Sequence, residues 1–300
     1  MHLTVRMIAV AAALAMMPSC PQPAFAGRAI GEMGIYVAEE TDTLVDIAVA
    51  KDLGFLELQA ANPGVDVWLP GAGTRIYLPR KHLLPDAPET GIVINLADMR
   101  LYLFKEGIRN GEALSWPIGI GREGRGTPVG STRAVRKTKD PSWYPPVSIR
   151  REKPWLPAMV EPGPDNPLGS RAIYLGWPQY LIHGTNNPYG VGRRTSSGCI
   201  RMYPWDVEAL YELVRPGTPV RVVDQPVKIG WIDGVLFVEV HPTGTQQDQL
   251  EEHGGFDREI PEDLESRVLN AIRGRAAVVD WDAVHTAGIQ RLGYPVPVTR

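Results

Sequence analysis

The chain has 300 residues, 44% of them hydrophobic, and a net charge of only −3. That balance describes an ordinary folded protein with room for two or three small domains, and nothing in it points to a nucleic-acid partner. Its two cysteines, Cys20 and Cys199, lie in very different settings.

At the N-terminus His2 and Arg6 precede the apolar run Met7 to Met17, Pro18 breaks any helix, and Ala24-Phe25-Ala26 supplies a small-residue site. This order is that of a secretory signal, and an apolar run of roughly 11 residues is too short to span a bilayer. The expectation is a signal peptide over residues 1–26 and export of the remainder. The alternative is lipidation at Cys20, for which Met17-Pro18-Ser19 is a poor lead-in. Cleavage after Ala26 leaves Cys199 alone in an oxidising compartment, with no internal cysteine to pair with.

Residues 36–79 read as strand, helix, helix, strand. Thr41-Asp42-Thr43 offers helix caps before Leu44, Ile47 and Ala48; Leu56, Leu58 and Ala61 form a second apolar group; Asn62-Pro63-Gly64 stops it; and Arg75 to Pro79 alternates. Through its Asp-Thr-Leu, Asn-Pro-Gly and Gly-Thr-Arg-Ile-Tyr-Leu-Pro elements the unit resembles the LysM module, which binds peptidoglycan and chitin chains. Glu39-Glu40 stands where such modules usually carry a glycine. A small packing module without sugar affinity is the alternative.

Residues 80–90, with Pro85 and Pro88 and no period, read as a linker. From Gly91 the pattern becomes strands: Ile92–Leu96 and Arg100–Phe104 as a hairpin, then Leu114–Ile120, Val129–Val135, Ala172–Leu175, Tyr180–His183 and Pro219–Val223. Residues 137–166, rich in Pro and Trp, read as a long functional loop or lid around Trp143 and Trp155. Pro204, Asp206 and Glu208 open a helix whose apolar face is Val207, Leu210, Tyr211 and Val214. Residues 225–300 read as a further subdomain: a hairpin turning at Asp233-Gly234, then a helix from about Pro261 to Ile272.

A cysteine nucleophile needs a base, oxyanion donors and access. His183 ends the apolar run Tyr180-Leu181-Ile182, and Cys199 follows Ser196-Ser197-Gly198. Gly198 permits a sharp turn, and the N–H groups of Gly198 and Cys199 are candidate oxyanion donors. A structural histidine and a buried inert cysteine are the plain alternatives, which their pairing in an exported chain disfavours. Zinc would need further ligands beside these two. The loop Gly119 to Gly130 has no helix behind it, so it reads as turns beside a strand rather than a phosphate cradle.

Ile182-His183-Gly184-Thr185-Asn186, followed by Ser196-x-Gly198-Cys199-Ile200-Arg201, resembles the signature of the L,D-transpeptidases, the YkuD-type catalytic domain. The likeness spans residues 91–224 and includes the opening hairpin, Gly126 to Gly130 and Trp143-x-Pro-Pro. It implies an α+β fold, mainly β with a few helices: a YkuD-like β-sandwich preceded by a LysM-like βααβ module. It also implies Cys199 as nucleophile, His183 as base and the Gly184 carbonyl as acceptor for the ring. Ser197 stands where histidine is frequent and Arg201 where asparagine is frequent; a Gram-negative subgroup with a LysM-like module shares both departures. Arg201 is a candidate to lower the thiol pKa or hold a substrate carboxylate, with a structural ion pair as the alternative. Ser197, Thr185, Asn186, Trp143 and Tyr180 are further candidate substrate contacts.

The implied reaction is acyl transfer from a tetrapeptide stem, releasing D-alanine, to an amine. The product is a 3-3 cross-link, or an outer-membrane protein or lipoprotein joined to the wall. The implied setting is the periplasm, with peptidoglycan stem peptides and glycan strands as partners, no cofactor, no metal and sensitivity to carbapenems. The rivals are an L,D-carboxypeptidase or amidase-type hydrolase, and a wall-binding protein without activity.

Overall fold

The computed structural model describes residues 29–104 and 113–300, so the expected signal peptide lies outside the described residues. A short strand, β1 (Ala29–Ile30), precedes β2 (Gly34–Val37), α1 (Leu44–Ala50), α2 (Phe55–Ala61), β3 (Arg75–Leu78) and β4 (His82–Leu83). β2 and β3 pair antiparallel, flanking the two helices in sequence. Of the possible caps the chain uses Thr43, whose hydroxyl accepts from the Asp46 N–H at 3.0 Å. Leu44, Ile47, Leu56, Leu58 and Ile76 are buried between the helices and the strand pair.

The next elements are β5 (Gly91–Asn95), β6 (Arg100–Phe104), β7 (Ala113–Pro117), β8 (Ile120–Gly121), β9 (Gly130–Lys139), α3 (Val147–Glu152), β10 (Arg171–Leu175) and β11 (Leu181–His183). They are followed by β12 (Arg194–Ser196), β13 (Ile200–Arg201), α4 (Pro204–Leu213) and β14 (Pro219–Val223). One continuous eight-stranded ladder runs β13-β11-β10-β9-β14-β5-β6-β7. Only β14–β5 and β11–β13 are parallel within it. The architecture is the mixed α+β, mostly strand arrangement expected from the sequence.

β5 and β6 are buried on both faces, which explains why Ile92-Val93-Ile94 is a continuous apolar run. Ile92, Ile94, Leu101 and Leu103 enter the main core. Val93, Tyr102 and Phe104 face the other way and pack against Ile30, Leu84 and Ala87. The segment read as a linker is therefore a cover. β4 lies within it and pairs with β1, and together the two bring Ile30, Leu84 and Ala87 onto the sheet's second face as apolar contacts.

The remaining elements are β15 (Val227–Ile232), β16 (Val235–Val240), α5 (Gly244–His253), α6 (Leu264–Ile272), α7 (Trp281–Gln290) and β17 (Val296–Pro297). All of these but α5 enclose a separate core of Trp231, Leu236, Leu264, Val268, Val284 and Val298, whereas Leu250 of α5 joins the main core. The hairpin turns at Asp233 and Gly234, φ +48° and +83°, as its two-residue sequence demands.

A buried charge network stitches the three parts together. The Lys228 ammonium sits 2.8 Å from Asp98 and 2.7 Å from Glu239, and Tyr102 donates to Asp98 at 2.8 Å. His241 lies 2.6 Å from Glu239, His82 reaches Glu239 and Glu57, and Arg100 pairs with Glu57 at 2.9 Å. Burial pushes the Glu57 carboxyl up, but Arg100 and His82 outweigh it and hold it at about 2. Asp98, Glu239 and His241 bring metal-ligand atoms within 4.8 Å of one another. Lys228 supplies the counter-charge there.

Asp206 lies in the first turn of α4 as the sequence suggests, but it is 3% accessible and lies against Asp52 of the N-terminal unit. Burial first, then the Asp52 charge, raises its pKa to about 8, so it is protonated at neutral pH. A raised carboxyl pKa makes the protonated folded state favourable, and the pair's contribution to stability falls as pH rises from about 4 to about 8. Asp206→Asn fixes the neutral form. The gap in unfolding temperature between variant and wild type is expected to widen in the variant's favour from pH 5 to pH 8; a constant gap contradicts the shared proton.

Candidate active site

His183 is the last residue of β11 and Cys199 immediately precedes β13, its parallel neighbour. Register places Ile182 beside Ile200 and His183 beside Arg201, so two buried isoleucines align base and thiol at one sheet edge. Both side chains line a cavity of about 330 Å³, together with Trp143, Tyr180, Ser197 and Arg201.

The His183 Nδ1 lies 2.6 Å from the Gly184 carbonyl oxygen. A proton on Nδ1 makes that hydrogen bond and leaves Nε2 with its lone pair, as a base requires. Burial, then the Arg201 charge, lowers the imidazole pKa to about 4, while the Gly184 bond opposes the fall. Burial raises the Cys199 thiol above its ordinary value, opposed by the Leu181 backbone N–H and by Arg201. The resting pair is thus neutral thiol and neutral imidazole, and the thiol donates to the Gln179 carbonyl at 3.3 Å.

The loop around Cys199 is held by residues that sequence reasoning missed. The Ser196 hydroxyl donates to the Cys199 carbonyl at 2.6 Å and accepts from the Gly198 N–H at 3.1 Å. The Thr127 hydroxyl donates to the Gly198 carbonyl at 2.9 Å. Gly198 has φ +104°, and a Cβ there would lie 2.8 Å from the Tyr180 ring, so only glycine fits. The Gly198 N–H proposed as an oxyanion donor is therefore committed to Ser196 in this state. The signals for these supports were the serine two residues before Gly198 and the threonine in Gly126 to Gly130.

Upstream, the same loop is clamped to the N-terminal unit. The Phe55 and Leu56 N–H groups at the start of α2 donate to the Val191 and Gly192 carbonyls at 3.4 and 3.1 Å. Gly192 has φ +72°, and a Cβ would lie 2.2 Å from the Phe55 nitrogen. The helix start thus finds acceptors for N–H groups it cannot bond internally.

Not every expected contact converges. Thr185 turns into its own loop, exchanging hydrogen bonds with Asn187. It and Asn186 line a separate cavity of about 230 Å³ with Asp140 and Asn166, away from the thiol. Of the two lid tryptophans, Trp143 lines the thiol cavity and exchanges backbone hydrogen bonds with Val160, while Trp155 is 75% exposed and does not line it. Within this loop α3 presents Glu152 to Arg122 and Arg125, tying residues 137–166 to the loop that carries Thr127.

Among the described residues, one accessible thiol, a buried imidazole with its Nδ1 held by a carbonyl and a glycine-turned loop beside an open cavity are the parts of a cysteine-dependent acyltransferase site. The YkuD family, the L,D-transpeptidase catalytic domain, matches residues 89–222. The probable L,D-transpeptidase ErfK/SrfK of Salmonella typhimurium is 38% identical over 290 residues, covering 94% of this chain and 91% of that protein. The probable L,D-transpeptidase YbiS of Escherichia coli K12 is 40% identical, covering 77% and 78%, and YcfS of the same strain is 42% identical, covering 74% and 72%. The chain belongs to the L,D-transpeptidase family.

Proposed function

We propose that the protein acts on peptidoglycan in the periplasm by taking a tetrapeptide stem as acyl donor and an amine as acceptor. The observation that carries this reading is that Cys199 and His183 open onto one cavity. His183 Nε2 accepts the thiol proton as Sγ attacks the carbonyl of the third residue. The carbon–nitrogen electron pair then returns to nitrogen, the imidazolium protonates it, and D-alanine leaves behind a thioester. An incoming amine attacks the thioester, its proton passes to His183, and the thiol is restored. Attack by the side-chain amine of a second stem gives a 3-3 cross-link; a protein lysine gives an anchored protein.

The exposed Trp68 and Leu69 on the N-terminal unit, at 66% and 75%, support a role for that unit in holding glycan. A carbapenem, as a strained acyl donor, is expected to acylate Cys199. The test is incubation of the purified enzyme with tetrapeptide-bearing muropeptides and mass analysis of the products. A dimer lacking one D-alanine is expected; release of D-alanine with only tripeptide muropeptide formed would mark a hydrolase instead.

A further inference from the structure

Arg201 is a fixed cation without a counter-charge. Its backbone N–H donates to the Gly119 carbonyl and its carbonyl accepts from the Gly119 N–H, both at 2.9 Å. Its guanidinium passes over Gly190, where a Cβ would sit 3.2 Å from Nη1. Its hydrogen-bond partner is the Thr195 hydroxyl at 3.2 Å. The neighbouring arginines are all engaged: Arg125 by Glu152, Arg193 by Glu251 and Arg194 by Asp248. Among the described residues, no carboxylate lies within ion-pair distance of Arg201. A part-buried guanidinium left without an anion costs stability, and this one faces the cavity that holds the thiol.

We propose that Arg201 binds the C-terminal carboxylate of the donor stem's leaving residue, and so selects stems that end one residue beyond the attacked carbonyl. The proposal rests on the transpeptidase reading. Arg201 is two residues from Cys199 along the chain and beside His183 in the sheet, so an anion it holds must lie close to the carbonyl under attack. In a tetrapeptide the D-alanine carboxylate meets that condition. In a pentapeptide the carboxylate moves a residue further out, and in a C-terminal amide it is absent. The guanidinium fork suits a planar carboxylate. As Sγ bonds to the carbonyl carbon and the carbon–nitrogen bond breaks, the alanine nitrogen takes the proton held by His183, and the amino acid departs with its carboxylate intact.

Two probes separate anion binding from thiol activation. The first compares alkylation of Cys199 by iodoacetate and by iodoacetamide, which share a reaction and differ in charge. In Arg201→Gln the ratio of the two rates is expected to fall about tenfold, the size of one charge-assisted hydrogen bond, with Arg201→Lys in between. The second compares thioester formation from a tetrapeptide acid and from its C-terminal amide. The wild type is expected to favour the acid about tenfold or more, and Arg201→Gln to lose that preference through slower reaction of the acid.

Equal slowing of both alkylating agents and both donors would overturn the proposal, since Arg201 would then act on the thiol alone. Thermal unfolding of each variant checks the fold, and Arg201→Lys tests charge if Arg201→Gln does not fold. If the wild type processed neither donor, the transpeptidase reading itself would fall. The alkylation ratio tells that failure from loss of the anion site.

Discussion

Cys199→Ala is expected to lose transfer by a factor on the order of 10⁴ or more, because the cavity's other lining groups include hydroxyls but no second thiol to carry the acyl group. Its fold is expected to survive. The thiol donates to the Gln179 carbonyl, and the loop conformation depends on Ser196, Thr127 and Gly198, which remain. An unfolding midpoint near that of the wild type, with no product in a cross-linking assay, is the expected pair of results. Retained transfer in the folded variant contradicts Cys199 as nucleophile.

His183→Gln is expected to lower the rate of thioester formation by about 10²–10⁴, the usual contribution of a positioned base. Glutamine can still hydrogen-bond within the loop, but it offers no lone pair to take the thiol proton at neutral pH. The pH dependence adds a sharper readout. The base form of His183 is required and its pKa is about 4, so wild-type acylation is expected to hold as pH falls towards 5 and to be lost as it passes through about 4. Because the Cys199 thiol lies above its ordinary value, alkylation of the free enzyme is expected to climb with pH beyond neutrality. A profile with an acid limb near 6.5, that of an unburied histidine, would contradict the buried neutral base.

Much of this site was legible because its chemistry is local. His183, Gly198 and Cys199 occupy short motifs, and the flanking apolar runs declare themselves as β11 and α4. The supports were less visible. Thr127 and Ser196 act by satisfying backbone groups, which any hydroxyl at a compatible place can do, so neither stands out in a sequence. Asp206 looked like an ordinary acidic residue in a first helical turn, and only its burial against Asp52 makes it a proton carrier.

Long-range packing hid other features. Residues 80–90 lack a period because they cover a sheet face as an irregular strap, with Leu84 and Ala87 as its apolar contacts. α5 carries Leu250 as its buried apolar residue, and it is fixed by the Thr243–Gln246 capping box and by Gln247 donating to the Ala97 carbonyl. That helix has almost no hydrophobic pattern to read. The C-terminal region carries no catalytic group. Its Lys228 and Glu239 nevertheless join the hairpin of β5 and β6 through Asp98, and the N-terminal unit through His82 and Glu57. Removing Lys228 would take the ammonium away from the buried Asp98 and Glu239 carboxylates, so the three parts are expected to lose stability together.

Whether Cys199 carries the acyl group is read from the intact mass of the protein after mixing with a tetrapeptide stem in the absence of an amine. A mass increase equal to the tripeptide acyl group, mapped to Cys199 and matched by free D-alanine, is the predicted result. A folded protein that gains no mass, or a Cys199→Ala variant that gains the same mass, would contradict it.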